Sequence, residues 1–362
     1  MTYKPFRIGL RPEWLLQHQQ EDVTSLSEVL ALLAAIDATG NITGACKACN
    51  LSYRHAWGVL RRFESLFNVP LLLTRRRQGT ALTPFASRLL WANRRIDARL
   101  MPTLESLASE LQEELESLMP REDQPLRLHA SHGFAVEALM QHMEGRHPDL
   151  ELRYRTAIEA LASLERRECD LAGFQIPLGE FEPDILARYR EWLHPDHHLL
   201  IHLAVRDTGF FVKAGNPKKI RGIKDLAKSD VRFVNRQIGS STRRLASLML
   251  AREGINEHEV RGYDTNEFTH MAIAAHIASD MADVGIGVKT AAHRFGLDFI
   301  PLVRERYFFA IDHQALDSAP IQTLLQIMQS TEYRSYIGQL AGYDNAQTGE
   351  VQRFDEAFPD YR

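Results

Sequence analysis

The run from Arg236 to Arg243 reads Arg-Gln-Ile-Gly-Ser-Ser-Thr-Arg and contains the residue types of an anion site. Its glycine precedes three hydroxyl side chains at the predicted start of a helix. Backbone N–H groups and hydroxyls at a helix N-terminus bind oxyanions, and an adjacent arginine adds charge. The candidates are Arg236, Gly239, Ser240, Ser241, Thr242 and Arg243. A plain helix cap would use the same Ser-Ser-Thr run, so both interpretations stay open.

A second stretch is strongly basic. Residues 51–100 contain ten arginines and two carboxylates, a net charge of +8, whereas the whole chain has a net charge of −4. A local basic field in an acidic protein is typical of a phosphate-binding face. A solvated, arginine-rich helical surface would have the same composition, so the order of the surrounding elements has to decide.

That order predicts a winged helix-turn-helix. Apolar spacing predicts a helix over 25–39, Asn41 can cap a short helix, and Ser52 can cap a longer one over 53–67. Strands at 71–73 and 80–82 would form a hairpin. The second helix of such a motif enters the major groove of DNA. Predicted DNA contacts are Ser52, Tyr53, Arg54, His55, Trp57, Arg61, Arg62, Arg75, Arg76 and Arg77.

One long amphipathic helix is predicted over 84–119, with leucines spaced by three and four residues. Such a leucine seam favours a homodimer through this linker helix, although packing within its own chain is the alternative. The sequence leaves open whether dimers pair into tetramers.

Beyond a hinge at 120–125, strands and helices alternate, which predicts an α/β fold with a parallel sheet. The predicted strands include 199–205, 210–215, 259–263, 299–303 and 307–311. About 220 residues with repeated crossovers suit two lobes.

Two metal-like patterns have simpler explanations. Cys46 and Cys49 share a short helix where core packing is expected, because zinc would need two further ligands at suitable spacing. The histidines at 194, 197 and 198 surround a proline in a predicted surface segment. We therefore predict no metal site, no cofactor and no catalytic residues, hence no enzyme.

No apolar run is long enough to span a membrane, and the charged start of the chain lacks a signal-peptide core, so a cytoplasmic protein is expected.

The N-terminal residues resemble a known family. Val59-Leu-Arg-Arg-Phe-Glu64, then Asn68-Val-Pro-Leu-Leu72 and Leu82-Thr-Pro84, resemble the winged helix-turn-helix of LysR-type regulators. The opening Ser52-Tyr-Arg-His-Ala-Trp57 more narrowly resembles ModE-type molybdate regulators. The chain departs from the LysR pattern at Asn68 and Ala86, where glycine is usual.

The second half resembles a type II periplasmic-binding-protein (PBP) domain, and its residues 230–310 resemble those of molybdate- and molybdopterin-related proteins. That resemblance implies lobe I from 125–206 and 306–345, lobe II from 207–305, and a ligand between them. Ser131 and His132 lie at the first predicted strand-to-helix turn, in the lobe opposite the run at 236–243, and are candidate ligand-binding residues. Gln175, Glu267 and His270 are further candidates to line the cleft.

Together these features predict an α+β winged helix-turn-helix (1–83) with a long linker helix (84–119), followed by a two-lobed α/β PBP-like domain (125–345) and a C-terminal tail (346–362). The predicted function is a transcriptional regulator that binds double-stranded operator DNA and a small anionic effector. Candidate effectors are molybdate, tungstate, a molybdenum-cofactor species or a small carboxylate. The alternative is a binding or enzymatic protein of molybdenum-cofactor metabolism that does not bind DNA.

Overall fold

The computed structural model describes residues 8–17, 23–75, 79–117, 125–144 and 150–359. The chain divides into two compact units: one is Leu10–Met101, and the other is Pro102–Arg362 together with Met1–Gly9. We call the first the head and the second the sensor unit, and each is described by itself.

The head is a three-helix core followed by a hairpin. Its elements are β1 (Leu15–Leu16), β2 (Thr24–Ser25), α1 (Ser27–Thr39), α2 (Ile42–Ala48), α3 (Tyr53–Phe67), β3 (Leu72–Arg75), β4 (Gly79–Leu82) and the first part of α4 (Pro84–Ser117). The Asn41 side chain accepts from Gly44 N–H at 2.6 Å and caps the start of α2, and the Ser52 hydroxyl accepts from His55 N–H at 3.2 Å and caps the start of α3. Both predicted caps are confirmed.

One apolar face of each helix forms the core of the head. Leu33, Ile36 and Leu60 have no exposed surface, and Phe63 has almost none. Strands β3 and β4 pair antiparallel, with Leu72 opposite Leu82 and Arg75 opposite Gly79. The Thr83 hydroxyl donates to Pro70 C=O at 2.8 Å and accepts from Ala86 N–H at 3.2 Å, so it joins the hairpin to the start of α4.

The sensor unit is built on one long mixed sheet. Its strands are β5 (Leu126–Ala130), β6 (Leu150–Tyr154), β7 (Leu171–Pro177), β8 (His198–Val212), β9 (Phe233–Arg236), β10 (Asn266–Glu267), β11 (Val284–Val288), β12 (Asp298–Asp312), β13 (Tyr343–Asp344) and β14 (Val351–Gln352). Its helices after α4 are α5 (Phe134–Met143), α6 (Ala157–Glu165), α7 (Glu182–Tyr189), α8 (Ser241–Arg252), α9 (His270–Ala278), α10 (Lys289–Arg294), α11 (Ala319–Gln329), α12 (Thr331–Gln339) and α13 (Phe354–Ala357).

Two strands run through both lobes. The strand order is β10-β9-β11-β8-β12-β7-β5-β6, so β8 and β12 lie at the centre and pair with each other along almost their whole length. Towards one end β12 pairs with β7, and towards the other β8 pairs with β11. Each lobe has its own apolar core on the faces of the sheet. The predicted two-lobed fold class is confirmed.

Several local predictions were wrong. The pairs 199–205 with 210–215 and 299–303 with 307–311 are each a single fifteen-residue strand. Residues 259–263 form no strand. They form a turn in which Gly262 has a φ of +88°, and Val260 and Tyr263 of this turn pack into the core. The segment treated as a C-terminal tail contributes β14 and α13 to the lobe that contains β5–β7, and buries Phe354 and Phe358 there.

Candidate ligand cleft and DNA-binding face

A cleft in the sensor unit encloses a cavity of about 470 Å³. It is lined by Thr103, Ser106, Leu107, Glu110, Ser131, His132, Tyr154, Arg155, Thr156, Ala157, Glu159, Gln175, Arg206, Arg236, Gln237, Ser240, Ser241, Thr242, Phe268 and His270. The predicted ligand residues that the cavity brings together are Ser131, His132, Gln175, Arg236, Ser240, Ser241, Thr242 and His270. A cavity of this volume is in the usual range for small-molecule sites.

Four helices begin at this cavity. The hydroxyls of Thr156, Ser240 and Thr269 cap α6, α8 and α9 by accepting from the backbone N–H three residues later. Helix α5 begins directly after the lining residues Ser131 and His132. Each helix N-terminus carries a partial positive charge and free backbone N–H groups. The convergence of four of them favours a negatively charged ligand.

Arg236 is the charged residue at the centre of this arrangement. It is 5% exposed, its Nη1 lies 3.0 Å from His270 Nε2, and its Nη2 donates to Phe268 C=O at 2.8 Å. Its Nε has no hydrogen-bond partner, and in the described part of the chain no carboxylate is paired with it. Burial, with the nearby charge of Arg206, lowers the pKa of Arg236 to about 10, so it stays cationic at neutral pH. A buried cation without a counterion is costly unless an anion joins it.

His270 and His132 are neutral beside it. Burial and the Arg236 guanidinium lower the pKa of His270 well below its usual value, and the same two causes lower the pKa of His132 to about 3. Because Arg236 donates, His270 Nε2 must accept, which leaves the proton on Nδ1. The two imidazoles therefore contribute polar ring nitrogens to the cavity without adding full charges.

A hydrogen-bond chain connects the two lobes across the cleft. Gln175 Nε2 donates to Ser131 Oγ at 2.9 Å, and Ser241 Oγ donates to Gln175 Oε1 at 2.9 Å. The buried Tyr307 hydroxyl lies 3.5 Å from Ser131 Oγ. Strand β7 holds Gln175, whereas Ser241 is the first residue of α8, so this chain joins one lobe to the other through side chains alone.

Three predicted ligand residues do not line the cavity. Arg243 turns towards Asp264, Asn266 and the ring of Tyr263. Glu267 is buried against His276, whose Nδ1 lies 2.9 Å from its carboxylate. Gly239 has a φ of +88° and shapes the loop before α8 instead of facing the cavity. Arg243 and Glu267 are therefore occupied by charged or polar neighbours, and Gly239 supplies the backbone conformation of its loop.

Sequence reasoning also missed residues. Arg206 on β8 lines the cavity and donates through Nε and Nη2 to Glu305 of β12, at 3.1 and 3.0 Å, and the Thr208 hydroxyl donates to the same oxygen at 2.8 Å. Arg155 and Thr156 lie in the turn between β6 and α6 and also line the cavity. The capping box formed by Thr156 and Glu159 was visible in the sequence, but nothing local tied it to the run at 236–243.

The predicted DNA-binding residues of α3 lie at its start and along one side. Ser52, Tyr53, Arg54 and His55 are exposed, as are Arg61 and Arg62, whereas Trp57 is half-buried. The apolar face of α3 packs into the core of the head, so its polar face is left for a partner. The side chain of Arg75 lies outside the described part, and so do Arg76 and Arg77.

Neighbours already orient some of these side chains. His55 Nε2 lies 2.6 Å from a Glu28 carboxylate oxygen, and Arg62 donates to the Thr24 hydroxyl at 3.0 Å. The Arg61 guanidinium lies 5.9 Å from the centre of the Trp57 ring. Among the described residues, the exposed Arg54 side chain makes no hydrogen bond or ion pair, which makes it the best-placed cation of α3 for a DNA contact.

Within the described residues, no helix is long and apolar enough to cross a membrane. Histidine, cysteine, aspartate and glutamate side chains form no group of three or more arranged to hold a metal in that same part of the chain. Cys46 is buried in the core of the head, as predicted, and Cys49 is half-buried at the end of α2.

Two family descriptions match the chain. The PBP superfamily domain matches residues 137–329, which is more than half of the chain, and the bacterial regulatory helix-turn-helix protein, lysR family, matches residues 27–87. The chain belongs to the PBP superfamily. With its lysR-type head it is a DNA-binding regulator whose second unit is a ligand-sensing PBP-like domain.

The relatives and solved structures that resemble this chain add little about its ligand. The uncharacterized protein YvgK of Bacillus subtilis (strain 168) is 31% identical over 221 residues, 60% of this chain and 70% of YvgK. The molybdenum-pterin-binding protein MopB of Rhodobacter capsulatus is 33% identical over 89 residues, 24% of this chain and 33% of MopB. A hydrogen-peroxide-bound OxyR mutant of Corynebacterium glutamicum is 14% identical, with 82% of this chain and 89% of that chain covered and a TM-score of 0.41. Similarity at that last level adds nothing to the assignment.

Proposed function

We propose that this regulator binds a small anion in the cleft of the sensor unit and that the bound anion changes its affinity for operator DNA. The observation that carries the proposal is the buried, carboxylate-free Arg236 at a point where four helices begin. An effector that binds two states of the protein with different affinities is sufficient for such coupling.

The candidate anions are molybdate, tungstate, a molybdenum-cofactor species and a small carboxylate. MopB is named for molybdenum-pterin binding, but the similarity spans a third of that protein, so it supports the molybdenum candidates only weakly. Carboxylates satisfy the same donors, because Arg236, Ser241 and the α8 N-terminus recognise charge and oxygen acceptors more than a particular central atom.

For DNA, we propose that α3 enters the major groove and that Arg54 reaches a phosphate or a guanine edge. The exposed start of α3 supports this, together with Arg61 and Arg62 on its outer side. The hairpin arginines Arg75, Arg76 and Arg77 are proposed contacts to the flanking backbone or the minor groove.

We further propose that α4 pairs with α4 of a second copy, with tetramers as a possible higher assembly. Leu100, Leu111 and Leu115 are each more than 40% exposed on this 34-residue helix. Exposed leucines at this spacing favour a helix–helix contact, and a two-fold pair of heads could read a two-fold operator.

The cleft is tested by thermal denaturation against molybdate, tungstate, sulfate, phosphate, formate and acetate. A true ligand at a hundred times its dissociation constant should stabilise the sensor unit by about 2.7 kcal/mol. Arg236→Gln should abolish that gain. Arg221→Gln, the same substitution at an exposed position outside the cavity, is the matched control and should keep it. A gain that survives Arg236→Gln would refute the cleft as the binding site.

DNA binding is tested with a mixed-sequence duplex over a range of salt concentrations. The logarithm of affinity should fall linearly with the logarithm of salt concentration, and Arg54→Ala should reduce that slope by about 0.9 for one lost phosphate contact. An unchanged affinity and slope in Arg54→Ala, with Arg221→Ala as the control, would rule out Arg54 as a contact.

A further inference from the structure

The cavity is larger than a bare oxyanion needs. A water molecule occupies about 30 Å³ in the liquid, so four oxygens around one central atom need about 120 Å³. The cavity has a volume of about 470 Å³. An ion of the size of phosphate or molybdate would satisfy the donors around Arg236 and leave most of the space without contacts.

Two large apolar side chains line the cavity, together with the carboxylates of Glu110 and Glu159. Phe268 is 51% exposed and Leu107 is 47% exposed, and both line the cavity. Phe268 adjoins the charged end directly, because its carbonyl accepts from Arg236 Nη2 at 2.8 Å. Large apolar side chains that remain exposed inside a polar cleft favour a ligand with an apolar part, since covering them removes that surface from water.

Helix α4 supplies Leu107 from outside the two lobes. Within the sensor unit this part of α4 lies against the cleft: Ala108 is 4% exposed, and a Glu105 carboxylate oxygen lies 3.6 Å from His132 Nδ1. Thr103, Ser106 and Glu110 line the cavity from the same helix. A ligand that fills the cavity therefore contacts α4 itself as well as the two lobes.

We infer that the effector is an organic anion whose acidic group binds at Arg236 and the start of α8, and whose apolar body contacts Phe268 and Leu107. This inference rests on the proposed anion-binding function of the cleft. It also assigns the route of regulation. Because the body of the ligand contacts α4, occupancy of the cleft selects directly among positions of the helix that continues without a break from Pro84 to Ser117.

Matched pairs of anions that share an acidic group test this inference. We would measure calorimetric affinities of the full chain for phosphate and phenyl phosphate, sulfate and benzenesulfonate, and acetate and benzoate. In at least one pair the phenyl compound should bind tenfold or more tightly than its bare partner. Leu107→Ser should remove most of that advantage and leave the affinity for the bare ion unchanged.

Leu111→Ser is the matched control, because Leu111 is 44% exposed on the same helix but does not line the cavity. The mass of both leucine variants in solution is also measured, so that a loss of α4 pairing can be told apart from a loss of ligand contact. Phe268→Ser should likewise remove most of the advantage of the phenyl compound. Ile238→Ser is its control, since Ile238 is 78% exposed in the loop before α8 and outside the cavity lining.

Two failures can be told apart. Bare ions that bind as tightly as their phenyl partners, with binding lost in Arg236→Gln, would overturn the organic ligand and leave the anion site standing. Equal losses in Leu107→Ser and Leu111→Ser would overturn the contact with α4. If none of the six anions binds but molybdate or tungstate does, the organic ligand is overturned and the anion site stands. If none of the six anions and neither molybdate nor tungstate binds, the proposed anion function of the cleft is refuted as well.

Discussion

Replacing His202 by leucine should make the sensor unit less sensitive to acid. His202 lies on β8 with no exposed surface, and its ring stands edge-on to Phe308 at 5.1 Å between centres. Neither ring nitrogen has a hydrogen-bond partner among the described residues. Burial, with the nearby charge of Arg306, lowers the pKa of His202 to about 4.

The sign of the effect follows from proton binding. A histidine in the unfolded chain has a pKa of about 6.5. Between that pH and the lower pKa of folded His202, the unfolded state binds a proton that the folded state does not bind. Stability is therefore lost as pH falls from about 6.5 towards 4. For a pKa of 4 in the folded state, this single group costs about 2 kcal/mol at pH 5 and about 3 kcal/mol below pH 4.

The assay is hydrogen exchange of β8 peptides in urea, at pH 7.5 and pH 5, with exchange times corrected for the intrinsic rates. Wild type should lose about 2 kcal/mol more of its opening free energy between these two pH values than His202→Leu. His197→Leu is the control, because His197 is exposed in the same lobe. Equal losses in wild type and His202→Leu would refute the argument, since His129, whose pKa burial also lowers to about 4, is unchanged in both proteins.

Two further substitutions test the packing of each unit. Leu60→Ala, at a position with no exposed surface in the head, should cost about 2–5 kcal/mol and lower the melting temperature of the head while anion binding by the sensor unit is retained. Glu305→Gln leaves Arg206 buried beside a neutral partner and should cost about 3–5 kcal/mol in the sensor unit. The double variant Arg206→Met, Glu305→Leu should recover most of that loss in a calorimetric scan, and no recovery would contradict the assignment of the cost to an uncompensated charge.

The head could be predicted almost element by element because its signals are local. Asn41 and Ser52 cap helices by accepting from N–H groups three residues along the chain, and Gly40 ends α1 with a φ of +68°. Such contacts depend on neighbours in sequence and hardly on the rest of the fold. The hairpin strands were predicted to within about two residues for the same reason.

The sensor unit was harder because its long strands carry residues that usually end strands. Asp207 interrupts the apolar run of β8, and Pro301 lies at a register shift in β12. Read locally, these residues end a strand. In the structure they lie in the stretch where both strands pass between lobes, and the pairing of β8 with β12 overrides the local preference. Arg206 was missed for a related reason, since its partner Glu305 is 99 residues away.

The two buried arginines of the cleft, Arg206 and Arg236, have different partners, which indicates a structural role for Arg206 and a ligand-binding role for Arg236. Arg206 and Glu305 are directly opposite each other on β8 and β12, so their ion pair fixes the register where the chain passes between the lobes. Its charge is already balanced, and its substitution should act mainly on folding. Among the described residues, the Arg236 guanidinium is hydrogen-bonded to a neutral imidazole and a carbonyl and to no carboxylate. Burial lowers the pKa of Arg236 and Glu305 raises it from a distance, but the Glu305 carboxylate is already hydrogen-bonded to Arg206 and Thr208. A variant at Arg236 should therefore change anion affinity far more than it changes the fold.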